Sequence, residues 1–105
     1  MKVVYTPTAA RQIENQIAYL VSQHAEAAAR RARVRITSFV ANFLSRHPRA
    51  GRRLAEKRIW EIWIPRTKYV LFYRLEPGDI LRVLALYHTS QDRSGFDPES
   101  VTDGH

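Results

Sequence analysis

Apolar residues change period twice along this chain, from a β-branched start to helical spacing and then to strand-like runs. Val3-Val4-Tyr5 reads as a short strand. Thr6-Pro7 then opens a helix, because Thr6 can accept from the free amides of the first turn and Pro7 has no amide to satisfy. Ile13, Ile17, Leu20 and Val21 share one side of it, leaving Arg11, Glu14, Asn15 and Gln16 for water, and it is expected to end near Gln23-His24. A second helix starts at Ala25 and lines Ala29, Ala32, Ile36, Phe39, Val40, Phe43 and Leu44 along one face. Its other face is cationic, with Arg30, Arg31, Arg33 and Arg35, and the loop Arg46-His47-Pro48-Arg49-Ala50-Gly51-Arg52-Arg53 extends that charge.

From Ile59 onward the period is that of strands. Ile59 to Ile64, Lys68 to Leu75 and Ile80 to Tyr87 are separated by Pro65-Arg66-Thr67 and Glu76-Pro77-Gly78-Asp79, which predicts a three-stranded antiparallel meander. With Arg66-Thr67 and Pro77-Gly78 as two-residue turn centres, pairing assigns each side chain to a face. Trp60, Ile62, Ile64, Tyr69, Leu71, Tyr73, Leu75, Ile80, Leu84 and Leu86 fall on the face that packs on the helices, with Arg82 its only charge. The outward face carries Ile59, Glu61, Trp63, Lys68, Val70, Phe72, Arg74, Leu81, Val83, Ala85 and Tyr87. That mixture is too apolar to stand in water. A partner protein is the preferred cover, since apolar patches rimmed by charge mark interfaces; a tail folded back on Phe96 is the alternative.

The 105 residues suit one domain with a single core and little room for a deep site. Seventeen Lys and Arg oppose ten Asp and Glu, and Asp97, Glu99 and Asp103 are the only charged side chains beyond Arg93, so residues 1–93 carry all seventeen cations against seven carboxylates. Ten of the cations lie between positions 30 and 58. Such a field favours acidic partners, nucleic acid or protein, through an attraction that salt weakens. Absence of cysteine excludes disulfides and thiolate metal sites and fits a reducing compartment. The start Met1-Lys2-Val3-Val4-Tyr5 lacks the apolar run of a signal peptide, and no stretch approaches the ~20 apolar residues of a membrane span, so a cytoplasmic, non-membrane protein is expected. Residues 94–105 are polar and contain Gly and Pro, the composition of a disordered tail after a domain spanning 1–93.

Few chemistries have their residues. His24, His47, His88 and His105 form no ligand-spaced pair, and Gly51, Gly78, Gly95 and Gly104 are isolated, so neither a metal site nor a phosphate-cradling loop is implied; no cofactor is expected. His88-Thr89-Ser90 supplies the residue types of nucleophilic catalysis without its geometry. Metal-free RNA cleavage needs a base, an acid and cations about the phosphate, for which Lys68, Arg74, Tyr87 and His88 are the available set. An arginine-rich helix used for nucleic-acid binding is a further possibility, weakened by the lack of interleaved aromatics.

Four segments carry a family resemblance: Tyr5-Thr6-Pro7-Thr8-Ala9-Ala10, Arg46-His47-Pro48-Arg49-Ala50-Gly51, Tyr69-Val70-Leu71-Phe72-Tyr73-Arg74, and Leu84-Ala85-Leu86-Tyr87-His88 ahead of Gln91-Asp92-Arg93. In order and spacing they resemble the RelE/ParE superfamily of type II toxins over residues 2–93. The resemblance implies an α+β fold of order β-α-α-β-β-β, with two helices packed on one face of the sheet. Members similar to RelE cut messenger RNA on the ribosome; those similar to ParE poison DNA gyrase without chemistry of their own. The RelE type carries outward basic residues on the meander's first strand and an arginine after the tyrosine that opens its second. Here those positions hold Glu61, Trp63 and Val70, and no terminal tyrosine follows Asp92-Arg93.

The ending around His88 and Gln91-Asp92-Arg93 is likewise closer to the ParE type. What this implies is a toxin that binds a cellular target, DNA gyrase, and is neutralised by a cognate antitoxin in a hetero-oligomer. Trp63, Val70, Phe72, Arg74 and Val83 are then the expected antitoxin-binding residues, and Arg66, Lys68, His88, Gln91, Asp92 and Arg93 the expected target-binding ones. The alternative is a ribosome-dependent mRNA endoribonuclease with a rearranged site built from Lys68, Arg74, Tyr87 and His88.

Overall fold

The computed structural model describes residues 1–54 and 58–91. Asp92, Arg93, Phe96 and the tail 94–105 lie outside the described residues, as do Ala55, Glu56 and Lys57.

Two helices lie against one face of a five-stranded sheet of order β1-β5-β4-β3-β2. Strand β1 (Lys2–Tyr5) leads through Thr6 into α1 (Pro7–Ser22). The Thr6 side chain accepts the Ala9 N–H and Pro7 occupies the first turn, as the sequence predicts. A turn at Gln23 and His24, the latter with φ 57°, brings α2 (Glu26–Ser38) back against α1. There Arg33 reaches across to Glu14 with two hydrogen bonds of 2.6 and 2.9 Å. The core joins Ile13 and Ile17 of α1 and Ala29 and Ile36 of α2 to Leu71, Tyr73, Leu81, Val83 and Leu86 of the sheet. Val21, expected on the packed side of α1, is exposed.

The second helix does not run on as an α-helix. Phe39–Leu44 is π-helical, with Ser45 N–H donating to Val40 O at 3.0 Å. An i→i+5 pattern puts more than four residues in each turn, so residues four apart nearly eclipse. Val40 and Leu44 therefore both enter the core, while Phe43 swings out to stack on Phe39 with ring centroids 5.2 Å apart. Regular α-helical spacing predicts Phe43 inward; it is exposed instead.

Beyond this segment the expected basic loop contains a strand, β2 (Arg52–Leu54), paired antiparallel with β3 (Ile59–Trp63). Strands β4 (Tyr69–Glu76) and β5 (Ile80–His88) complete the meander, and β1 pairs with β5 in parallel. The β3–β4 register is the expected one, with Trp60 opposite Tyr73 and Trp63 opposite Val70.

The β4–β5 register is not. Glu76 pairs with Ile80, so the loop has three residues, Pro77, Gly78 and Asp79, the last two at φ 85° and 60°. One added loop residue inverts the faces of the following strand. Leu81 and Val83 therefore face the helices, and Arg82 faces outward. A bulge then restores the expected alternation. Phe72 pairs with Ala85 but Tyr73 with Val83, leaving Leu84 as the extra residue. Thr6 holds this bulge, its N–H donating to Val83 O (3.0 Å) and its hydroxyl to Leu84 O (3.1 Å), and is itself only 1% exposed.

Candidate functional site

The outward sheet face is less open than its sequence suggests. Ile59, Val70, Phe72, Leu84 and Ala85 form a second buried cluster, against which Leu54 and Tyr87 pack. Leu54 reaches it because β2 extends the sheet past β3, and Tyr87 meets Phe72 edge-on at 5.9 Å. Of the five expected antitoxin-binding residues, Trp63 stands 63% exposed and Arg74 is part-exposed. Val70 and Phe72 are buried, and Val83 lies in the core on the other face. The predicted open groove through Val70, Phe72 and Val83 is thus absent; the unread strand and the shifted register are the causes.

Arg82, predicted on the helix face, belongs to an outward ion cluster instead. It stands directly across from Arg74, and Glu76 lies between the two. Arg74 donates from Nε (2.9 Å) and Nη2 (2.7 Å) to Glu76 Oε2, and Arg82 Nε donates to Oε1 at 2.9 Å. Burial pushes the Glu76 carboxyl up, but hydrogen bonds and charge from both arginines outweigh it and hold the group below its ordinary value. One row along the sheet, Arg52 Nη2 meets Glu61 Oε1 at 3.0 Å.

The four described members of the expected target-binding set share one end of the sheet. Arg66, at φ 62°, and Lys68 lie in the β3–β4 turn, where Arg35 Nη1 donates to Arg66 O at 3.1 Å. His88 closes β5 beside them, tied in by the 2.7 Å bond from Thr89 N–H to Lys68 O. Gln91 completes a tight turn: His88 N–H donates to Gln91 Oε1 (2.7 Å) and Gln91 N–H to His88 O (2.9 Å). Ser90 closes on the same ring, its N–H 3.1 Å and its hydroxyl 2.7 Å from His88 Nδ1.

The alternative nuclease residues do not converge. Arg74 lies six positions along the strand from Lys68, about 20 Å away at strand rise, and is engaged with Glu76. Tyr87 packs on the outward Phe72, whereas His88 packs edge-on against Tyr69 on the helix side, at 5.7 Å. No phosphate could touch all four side chains. Among the described residues no group of three His, Asp or Glu side chains is placed to hold a metal ion, and no helix is long and apolar enough to cross a membrane.

A groove on the helix side carries exposed apolar surface where α-helical spacing predicts a buried Phe43. Its spine is the ladder Phe39, Phe43 and His47, the last two rings 4.9 Å apart. On one side lies a depression of about 390 Å³ lined by Val34, Arg35, Phe39, Phe43, Ile64 and Arg66 among others. On the other a depression of about 430 Å³ is lined by Phe43, His47, Pro48, Arg49 and Ala50. Tyr73 shapes the second wall from below, donating to Pro48 O at 2.7 Å and accepting from Gly51 N–H at 3.3 Å. The nearest sequence signal was Phe43 itself, four residues from both Phe39 and His47.

Comparison with known proteins agrees with this architecture. Among curated proteins no relative matches. The fold is similar to a solved structure from P. aeruginosa described as a chromosomal ParDE TA system, with a TM-score of 0.71 and 18% identity, covering 84% of this chain and 95% of that one. The family described as "ParE toxin of type II toxin-antitoxin system, parDE" matches residues 3–93, nearly the whole described fold, and the chain belongs to that family.

Proposed function

We propose that this chain arrests growth by binding DNA gyrase, without chemistry of its own, and is neutralised by a cognate antitoxin in a hetero-oligomer. The observation that carries the reading is the outward sheet face. Where a ribonuclease of this fold needs cations, the chain has Glu61 paired with Arg52, an exposed Trp63 and a buried Val70. A carboxylate and two apolar groups give no stabilisation to a pentacoordinate phosphate. The scattered Lys68, Arg74, Tyr87 and His88 favour the same reading over a rearranged nuclease.

In this proposal the sheet end holding Arg66, Lys68, His88 and Gln91 contacts the target, together with Asp92 and Arg93 outside the described residues. An antitoxin that wraps the sheet edge would meet the exposed Trp63 and the ion cluster in which Glu76 holds Arg74. Both partners act in the cytoplasm. The test is induction of the chain in cells, alone and with the antitoxin encoded beside it, followed by growth curves and primer extension across abundant messages. Growth arrest with intact messages, relieved by the antitoxin, is expected; new message ends after induction would turn the reading to the ribosome and mRNA.

A further inference from the structure

We infer that α2 and the β3–β4 turn form a phosphate-binding track, Arg31, Arg35 and Arg66 ending at Lys68, that grips the backbone of duplex DNA without reading its sequence. This is a binding function of the chain by itself, and it stands whether or not gyrase is the target.

Helix period builds the first half of the track. Arg31 and Arg35 are one turn apart, so they leave the same side of α2 with Cβ atoms about 6 Å from each other. That side looks towards the β3–β4 turn, since Arg35 Nη1 donates to Arg66 O at 3.1 Å and both residues line one depression. Arg66 holds φ at 62°, a left-handed position uncommon for a long side chain, and Lys68 follows two residues later at the same end of the sheet. All four cations are exposed.

Charge then selects the partner. Among the described residues Glu14 pairs with Arg33, Glu61 with Arg52, Glu76 with Arg74 and Arg82, and Asp79 with the Met1 amine. None of the four track cations enters an ion pair there, and the bond that Arg35 makes is to a neutral carbonyl, which leaves its charge uncompensated. Glu26, in the first turn, is the only acidic residue of α2. A row of like charges with no acid among them suits a polyanion whose own charges repeat evenly along its length. Fourteen of the seventeen cations in the chain are arginines, whose forked guanidinium takes phosphate oxygens in pairs. A duplex fits better than a single strand, because α2 carries no aromatic ring on which an unpaired base would stack. In the toxin reading Arg66 and Lys68 belong to both contacts, so the track would bring the target-binding end against the DNA that gyrase holds.

The experiment is fluorescence anisotropy of a short labelled DNA duplex titrated with the full chain, repeated as salt rises from about 50 to about 200 mM. Wild type, Arg31→Gln, Arg66→Gln, Lys68→Gln and the control Arg11→Gln are compared, with circular dichroism confirming that each folds. Arg11 is an exposed cation of α1 outside the track, so its replacement removes the same charge from a different place. Four phosphate contacts predict a log–log salt slope of about −3.6 and a loss of affinity of about a hundredfold across that range. Each track variant is expected to raise Kd about threefold or more and to flatten the slope by about 1, whereas Arg11→Gln stays within about twofold of wild type. Should Arg66→Gln not fold, Arg31→Gln and Lys68→Gln carry the same comparison.

No anisotropy change at the lowest salt would overturn the inference. So would equal losses in Arg11→Gln and Arg31→Gln, which would reduce the track to net charge alone. Tighter binding of single-stranded DNA, or of an RNA duplex, would give the cations to a different nucleic acid and overturn the assignment. Displacement of the duplex by polyglutamate as readily as by unlabelled DNA would give them to an acidic protein and overturn it too. Each of these results leaves the toxin reading intact, which fails separately, by absence of growth arrest in cells.

Discussion

Removing one oxygen atom, in Tyr73→Phe, should unpin the wall of the groove. The Tyr73 ring is fully buried on β4 and stacks on Trp60 with centroids 6.2 Å apart, and phenylalanine preserves both features. Lost are the donation to Pro48 O at 2.7 Å and the acceptance from Gly51 N–H at 3.3 Å. Each net hydrogen bond is worth about 1 kcal/mol, and the part-buried carbonyl and amide left behind gain no substitute, so a loss of about 2 kcal/mol is expected. For a chain of this length that corresponds to a fall in Tm of about 8 °C. Urea denaturation and calorimetry measure it. A fall below about 2 °C would show that water replaces the hydroxyl without cost and that Tyr73 does not hold the loop. Gly51→Ala gives a second reading of the same contact. An added Cβ would lie 2.6 Å from Glu61 O and 2.9 Å from the Tyr73 hydroxyl. Only the second clash is relieved by Tyr73→Phe, so Gly51→Ala should still cost about 1–3 kcal/mol in that background.

Thr6→Val removes a cap to Ala9 N–H and the bond to the bulge carbonyl of Leu84, and should cost about 2 kcal/mol by urea denaturation, whereas Thr6→Ser should recover most of it. Glu76→Gln leaves Arg74 and Arg82 facing each other without an intervening charge and should cost about 1.5 kcal/mol, discounted for partial exposure. Because the Glu76 carboxyl is held below its ordinary value, its contribution is complete above that value and is lost as pH falls through the lowered one; Glu76→Gln should flatten the acid limb of stability. Burial raises the phenol pKa of Tyr5, Tyr69 and Tyr73, so their stabilisation is present below the ordinary tyrosine value and is lost as pH rises through the raised ones. The urea midpoint should therefore decline at alkaline pH, less steeply in Tyr73→Phe.

Local signals announced most of the fold. Thr6-Pro7 marked a helix start, two apolar helical faces marked a hairpin, and punctuated β-branched runs marked a meander. Where reading failed, single residues changed the count. Pro77-Gly78-Asp79 admits a two- or three-residue loop on composition alone, and the choice of three sent Val83 inward and Arg82 outward. The bulge at Leu84 depends on Thr6, 78 positions away, and so has no local signature. Arg52–Leu54 has no alternation to betray a strand; it forms because the edge of β3 accepts it. The π-helical turn swaps Phe43 from core to surface, something a period fitted to α-helix cannot register. These failures concentrate at the candidate site. The predicted groove on the outward face closed, and the opening lies on the other side of β3.

The direct test of a gyrase-binding toxin is DNA supercoiling by purified gyrase with the purified chain added, in the absence and presence of its antitoxin. Inhibition that rises with toxin concentration, disappears when antitoxin is added first and weakens when Arg66 and Lys68 are replaced by Glu is the expected result. Undiminished supercoiling at toxin in large excess over gyrase, by a preparation that arrests growth in cells, would contradict it.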